Sequence, residues 1–424
     1  MNPLKIQEVA QRLRAAETSV RVLRTLAWPE SARMEFFENG ARELPRISYP
    51  SFDANPVHAE VKQAEALIEG NSEPAAWLLR CATAIRTSAD LLASAGTPRF
   101  FECGERLYGS PTTELGGATP LGLARSIDSL CGSLEGLDLG APSPACHLAE
   151  GVVAKIDAAC RELFGEEAPE VVVVDELSAN ALAGPRRIQV RRDACFTDRD
   201  ARQLIEHEAF VHVCTALNGR HQLELPILGA SHAGTTRTQE GLAVFAEFIT
   251  GSLDLDRFQR LADRVQAIQK SIEGADFLEI YGFFLGRGLR EEQAYENARR
   301  VFRGGVLSGG APFTKDNVYL DGLLRVTSFL RMLILERRAE CLPLLFCGKL
   351  DVEDIPALAE LTELGLCRAP RYLPPWASDR RYLVAFLSYS SFLDELRVEE
   401  QHEHFHDLLS HTPRRKSPLA PGAS

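Results

Sequence analysis

Residues 207–212 read His207-Glu208-Ala209-Phe210-Val211-His212, and their setting predicts a helix. Thr197 with Asp200 three residues on makes a capping-box-like start, Leu204, Ile205, Val211 and Leu217 run along the segment, and Asn218-Gly219 is a stop signal. Two histidines that share a metal on a helix normally stand four apart. Here they stand five apart, roughly 500° of helical turn, which leaves them about 140° apart around the axis. A regular helix cannot aim both at one ion. A widened turn or π-bulge at Ala209–Val211 would bring them together. The motif therefore predicts a local distortion, or it is an ordinary helix with one buried histidine, one exposed histidine and Glu208 on a solvated face.

A catalytic zinc takes three protein ligands. The candidate third ligand lies in Thr238-Gln239-Glu240-Gly241-Leu242-Ala243, at the start of a second expected helix, Thr238–Thr250, closed by Gly251. The plainer reading has Thr238 as the cap and Glu240 in the first turn, complementing the helix dipole. Glu247, seven residues further on, shares the face of Glu240 and suits a partner that orients a ligand, or less readily the ligand itself.

His-Glu-x-x-x-His followed by Gln-Glu-Gly-Leu-Ala resembles the QEGLA-motif family, whose bacterial members are named flavohaemoglobin expression-modulating proteins. Its eukaryotic relatives are the microtubule-associated tyrosine carboxypeptidases. Leu107-Tyr108-Gly109 with Pro111, Phe302-Arg303-Gly304-Gly305, and Phe313-Thr314-Lys315-Asp316 with Tyr319-Leu320 also look like the family, so the resemblance spans about residues 45–340. It implies a metallopeptidase with one Zn²⁺ ion held by His207, His212 and Glu240, and Glu208 as general base. A donor to the developing oxyanion is also expected, Tyr319 first and His232 second. A carboxypeptidase further needs a cation for the substrate's terminal carboxylate; Arg303, Lys315 and Arg237 are the candidates, and Arg303 leads because Gly304 and Gly305 allow close backbone approach. By analogy with zinc proteases, the segment Arg186–Arg192, where Ile188 and Val190 alternate with polar residues, is expected to be an edge strand that pairs with extended substrate.

The rest of the chain sets the frame. Its 424 residues carry 45% hydrophobic and 25% charged side chains, ordinary globular composition. The net charge of −12 argues against a nucleic-acid role. Ten cysteines without a Cys-x-x-Cys pair read as reduced thiols, and no apolar run is long enough to span a bilayer, so a cytoplasmic location is expected. Helices are expected at 4–27, 58–70, 74–95, 119–135, 147–164, 253–272, 275–287, 290–302 and 316–338, with a strand at Val171–Val174. The expected fold class is α+β, predominantly α: a zincin-like core with a small mixed sheet at 146–345, a helical region at 1–145, a helical region at 346–411 and a disordered tail at 412–424. Leu137–Pro144 is the expected linker. The histidines of His402-Glu403-His404-Phe405-His406 read as surface groups. The substrate would be a peptide or protein C-terminus, with no nucleic acid or membrane partner. Two rival readings are a non-catalytic, zinc-stabilised regulatory protein, which a fourth ligand such as His232 would favour, and a zinc amidase acting on a small molecule. The sequence leaves the oligomeric state open.

Overall fold

Helix starts follow the capping chemistry. Asn2 accepts the Leu4 N–H ahead of Pro3, and the first helix runs Pro3–Thr18. It stops well short of residue 27, because Thr18 and Ser19 turn their hydroxyls back onto the carbonyls of Arg14 and Ala16. The computed structural model describes residues 1–134, 147–175, 177, 180–184, 186–393, 405–407 and 410–411. The expected linker 137–144, the tail from Thr412, and His402 and His404 lie outside the described residues.

Expected helices are found at Asn55–Glu65, Glu73–Ala93, Pro120–Ser133, Ala149–Phe164, Leu255–Ile272, Phe277–Gly286, Glu291–Phe302 and Val318–Leu335. Two were not foreseen, Glu30–Glu38 and Pro98–Tyr108. In the second, Pro98 occupies the first turn, and Phe100, Cys103, Gly104, Leu107 and Tyr108 form one buried face. Beyond residue 351, helices at Ile355–Glu363, Pro375–Ser378 and Arg380–Leu393 are split by an irregular stretch containing Pro370 and Pro374. No helix among the described residues is long and apolar enough to cross a membrane.

The architecture is mostly helical, with one mixed three-stranded sheet in the order β1-β3-β2. β1 (Glu170–Val174) pairs in parallel with β3 (Arg187–Arg191), and β2 (Ala181–Ala183) pairs antiparallel with it. The alternation in β3 buries Ile188 and Val190, as the pattern predicts. Its expected edge position is wrong. β3 is hydrogen-bonded on both sides, so it has no free edge for a substrate; the edge strand next to the motif helix is the three-residue β2, too short to show in a hydrophobic pattern.

One cluster of buried side chains runs from Ile6 to Leu387 and includes Ile188, Val190, Val211, Leu242 and Phe245. A second, aromatic cluster joins Trp28 and Phe36 to Phe277, Tyr295 and Phe302. A third packs Leu121 and Ile127 against Val244, Leu261 and Leu320.

The helix carrying the His-Glu motif is continuous from Asp198 to Arg220, beyond the expected stop. Asn218 does not end it. It is fully buried, its amide donates to the Tyr372 carbonyl (2.8 Å), and its oxygen accepts the N–H groups of Arg371 and Tyr372. Gly219 is required where the chain folds back: a Cβ there would lie 2.2 Å from the Leu228 carbonyl oxygen.

Candidate metal centre

The motif helix begins with a full capping box: Thr197 Oγ1 accepts the Asp200 N–H, and Asp200 accepts that of Thr197. From Ile205 to Val213 the backbone is a π-helix. Its i→i+5 hydrogen bonding sets residue 212 nearly over residue 207, and so supplies the distortion that the five-residue spacing demands. The two imidazoles meet edge to face with centroids 4.8 Å apart.

The wider turn is supported from outside the helix. Lys349 Nζ donates to the His212 carbonyl (3.0 Å) and to Gln239 Oε1 (2.9 Å), and Thr215 Oγ1 donates to the same Gln239 oxygen (2.7 Å). Lys349 is almost fully buried, and burial pulls its pKa down to about 8. Sequence reasoning missed it; a lone lysine after Cys347-Gly348 carries no signal.

Gln239 begins the second motif, on the helix Thr236–Ile249. That helix starts two residues earlier than expected, so Thr238 is not its cap and Glu240 lies in the second turn. Thr238 Oγ1 donates to Asp351 and accepts the Val352 N–H. Gly241 is needed for a helix crossing: a Cβ on it would lie 2.3 Å from the Gly322 carbonyl, and one on Gly322 would lie 2.1 Å from the Arg237 oxygen. This backbone-on-backbone contact presses the Glu240 helix against the Val318–Leu335 helix and fixes how far Glu240 reaches.

Glu240 Oε2 stands 3.5 Å from Nε2 of both His207 and His212. The three ligand atoms lie within 4.8 Å of one another, and the group can hold a metal ion. The fit is chemical as well as spatial. Glu240 Oε2 is buried with no hydrogen-bond partner, a state that a cation between the three residues would relieve. His207 Nδ1 bonds Glu247 Oε1 at 2.6 Å, which fixes the tautomer and leaves Nε2 bare for a metal. Glu247 is fully buried and also takes Gln203 Nε2 (2.7 Å) and two Arg257 nitrogens (3.1 Å each). With those partners on its oxygens it holds the His207 ring and stands outside the metal group. Burial opposes its charge, but Arg257 and His207 hold its pKa down to about 2.

The electrostatics of the trio repeat the demand for positive charge. Burial works against ionising Glu240, yet Lys315 and both histidines hold its pKa well below the carboxylate range. Burial also works against a charged His207, and the neighbouring Glu240 and Glu247 carboxylates overcome it, whereas burial dominates at His212 and lowers it.

Glu208 follows His207, and its Oε2 accepts the Ala183 N–H of β2 at 3.1 Å. Lys315 Nζ is 3.6 Å from Glu240 Oε1 and 5.7 Å over the Tyr319 ring. Arg264 lies over the same ring at 5.9 Å. Lys315 and Tyr319 are thus brought to the trio. Arg303 lies one layer out, near Tyr108 and the Arg300–Asp316 pair. Two further candidates have surroundings of their own. Arg237 is not a free cation: it shares the buried Asp321 with Arg325, at 3.6 and 3.1 Å. His232 is buried beside Arg14 and Gly234, burial takes its pKa to about 4, and it is not part of the metal group. No four-ligand site completed by His232 forms among the described residues.

A family model described as microtubule-associated tyrosine carboxypeptidase matches residues 34–395. No curated protein matches the chain. Among solved structures, a putative lipoprotein from Colwellia psychrerythraea aligns over 80% of this chain and 67% of its own, with 13% identity and a TM-score of 0.39.

Proposed function

The chain belongs to the microtubule-associated tyrosine carboxypeptidase family, and on that footing we propose a zinc-dependent peptidase that releases a C-terminal residue, with His207, His212 and Glu240 as ligands. The observation that carries this is the convergence of three ligand atoms within 4.8 Å beside Glu208. A bound zinc would supply an acidified water and polarise the scissile carbonyl. Glu208 takes the water's proton and delivers it to the leaving amine, while the Ala183 N–H holds its carboxylate in place. Tyr319, held between Lys315 and Arg264, donates to the carbonyl oxygen as it gains charge. Lys315 binds the terminal carboxylate. β2 offers the free edge for the peptide backbone in place of the 187–191 strand. The catalytic core is assigned to 146–345, with the flanking helical regions selecting the substrate. The setting is the cytoplasm, where the described cysteines, all free, stay reduced.

The test compares wild type with Glu208→Gln. Equal zinc by elemental analysis, with C-terminal release from a peptide library by wild type alone, is the expected result, and the substitution should lower the rate roughly 10²- to 10⁴-fold. Absence of zinc, or cleavage that survives the substitution, refutes the proposal.

A further inference from the structure

His207 and His212 come from one helix and Glu240 from another, and metal–ligand distances allow only about 0.2 Å of play. The contact of Gly241 with Gly322 sets the Glu240 helix against a third helix, not against the histidines. One side chain joins the two ligand helices directly. Lys349 Nζ donates to the His212 carbonyl at 3.0 Å and to Gln239 Oε1 at 2.9 Å, so it touches the backbone of one ligand and the residue before another. Both acceptors are neutral amide oxygens. The ammonium therefore serves geometry, through charge-assisted bonds roughly twice as strong as neutral ones.

The root of this side chain is fixed as firmly as its tip. The Lys349 N–H donates to the Leu228 carbonyl at 2.7 Å. Gly348 lets the chain come that close, since a Cβ on it would lie 2.6 Å from the same oxygen. The Leu228 carbonyl is also the group that Gly219 of the motif helix packs against. A buried side chain held at both ends acts as a spacer of set length. We infer that Lys349 is a positioning residue for the metal: it locks the His212 carbonyl to the Gln239 side chain and so sets the separation of His212 from Glu240 on which metal affinity depends. This rests on the metal reading of the trio, and it needs no peptide substrate.

Two variants disturb the spacer in different ways. Lys349→Met keeps the apolar stem and removes the ammonium, and Gln239 Oε1 still has Thr215 Oγ1 at 2.7 Å. Gly348→Ala keeps the ammonium and displaces the root. Zinc affinity, measured by chelator competition, should fall roughly 10- to 100-fold in each. Urea unfolding with and without zinc separates positioning from packing: a merely structural lysine lowers both midpoints together, whereas a positioning lysine narrows the gap between them. Thr197→Ala, at the start of the same helix, should lower both midpoints and keep the gap. The visible spectrum of the cobalt-substituted protein, which follows ligand geometry, should change in Lys349→Met and not in Thr197→Ala. Should one Lys349-segment variant fail to fold, the other decides. Wild-type zinc affinity, an unchanged gap or an unchanged cobalt spectrum in folded Lys349→Met, or wild-type affinity in folded Gly348→Ala, overturns the inference. A wild type that binds no zinc sinks the metal reading and the inference together. Zinc binding that falls as expected, with no release from any peptide, upholds the inference and refutes the peptidase reading alone.

Discussion

Replacing Gly241 by alanine sets two effects against each other. Alanine is the better helix former, worth at most about 1 kcal/mol in a helix interior. Its methyl group, however, would sit 2.3 Å from the Gly322 carbonyl, where ordinary contact begins at 3.4 Å. The two helices must part by 3.4 − 2.3 = 1.1 Å, backbone against backbone, with no flexible side chain to yield. Overpacking of this kind costs about 1–3 kcal/mol, and a rigid contact belongs at the upper end. The clash wins, and the net loss should be about 2 kcal/mol. Glu240 is the adjacent residue, and metal ligands tolerate only about 0.2 Å of displacement, so metal affinity should fall roughly 10- to 100-fold. Urea unfolding with and without zinc, and competition with a chelator, measure both quantities. Gly282→Ala is the control. It lies inside the helix Phe277–Gly286 with no heavy atom within 4 Å of its would-be Cβ, and it should gain about 0.5–1 kcal/mol. The reasoning fails if Gly241→Ala keeps wild-type stability and metal affinity, or if Gly282→Ala loses as much.

Glu247→Gln should weaken zinc binding roughly 10- to 100-fold, because His207 loses its charged partner and buried Arg257 its counter-ion; unchanged chelator competition would rule out the orienting role. Thr197→Ala should cost about 1 kcal/mol in urea unfolding through loss of the capping box, and an unchanged midpoint would contradict it. Burial raises Asp354 from 3.8 to about 6 despite its bond to Arg80. The unfolded chain gives up this proton near pH 4 and the folded chain near pH 6, so the group's contribution is full below pH 4 and is lost as pH rises through 6. Asp354→Asn should lack that loss, worth about 3 kcal/mol, and parallel stability curves for the two proteins between pH 4 and 7 would refute it.

The metal group was legible because its signals are local. The five-residue spacing is a phase problem on one helix, and Glu240 stands in a short contiguous motif. The α+β class and most helices followed from caps and periodicity in the same way. What the sequence concealed depends on contacts between distant segments. Lys349 supports a carbonyl 137 residues earlier, and nothing near it hints at that. Arg237 looks like a free cation until the Val318–Leu335 helix brings Asp321 against it. The central place of β3 depends on β2, whose three residues, Ala181–Ala183, are too few to form a pattern. Gly241 reads as a weak point in a helix until Gly322 lies across it.

The π segment has a consequence for how the long helix relates to a regular one. Five residues around its wide turn advance the chain by nearly the angle that four advance in an α-helix. The segment therefore absorbs one surplus residue without shifting the phase of the later turns: Gln203 upstream and Thr215 and Asn218 downstream keep their faces. A shortened chain lacking Ala209 would show the same surface, with its histidines four apart on an unbroken α-helix. Lys349 donates to the His212 carbonyl at the end of this wide segment, beside Thr215 Oγ1 at 3.4 Å. The buried lysine thereby ties the wide turn to Gln239, the residue before Glu240, so that the two motifs are held by one ammonium group.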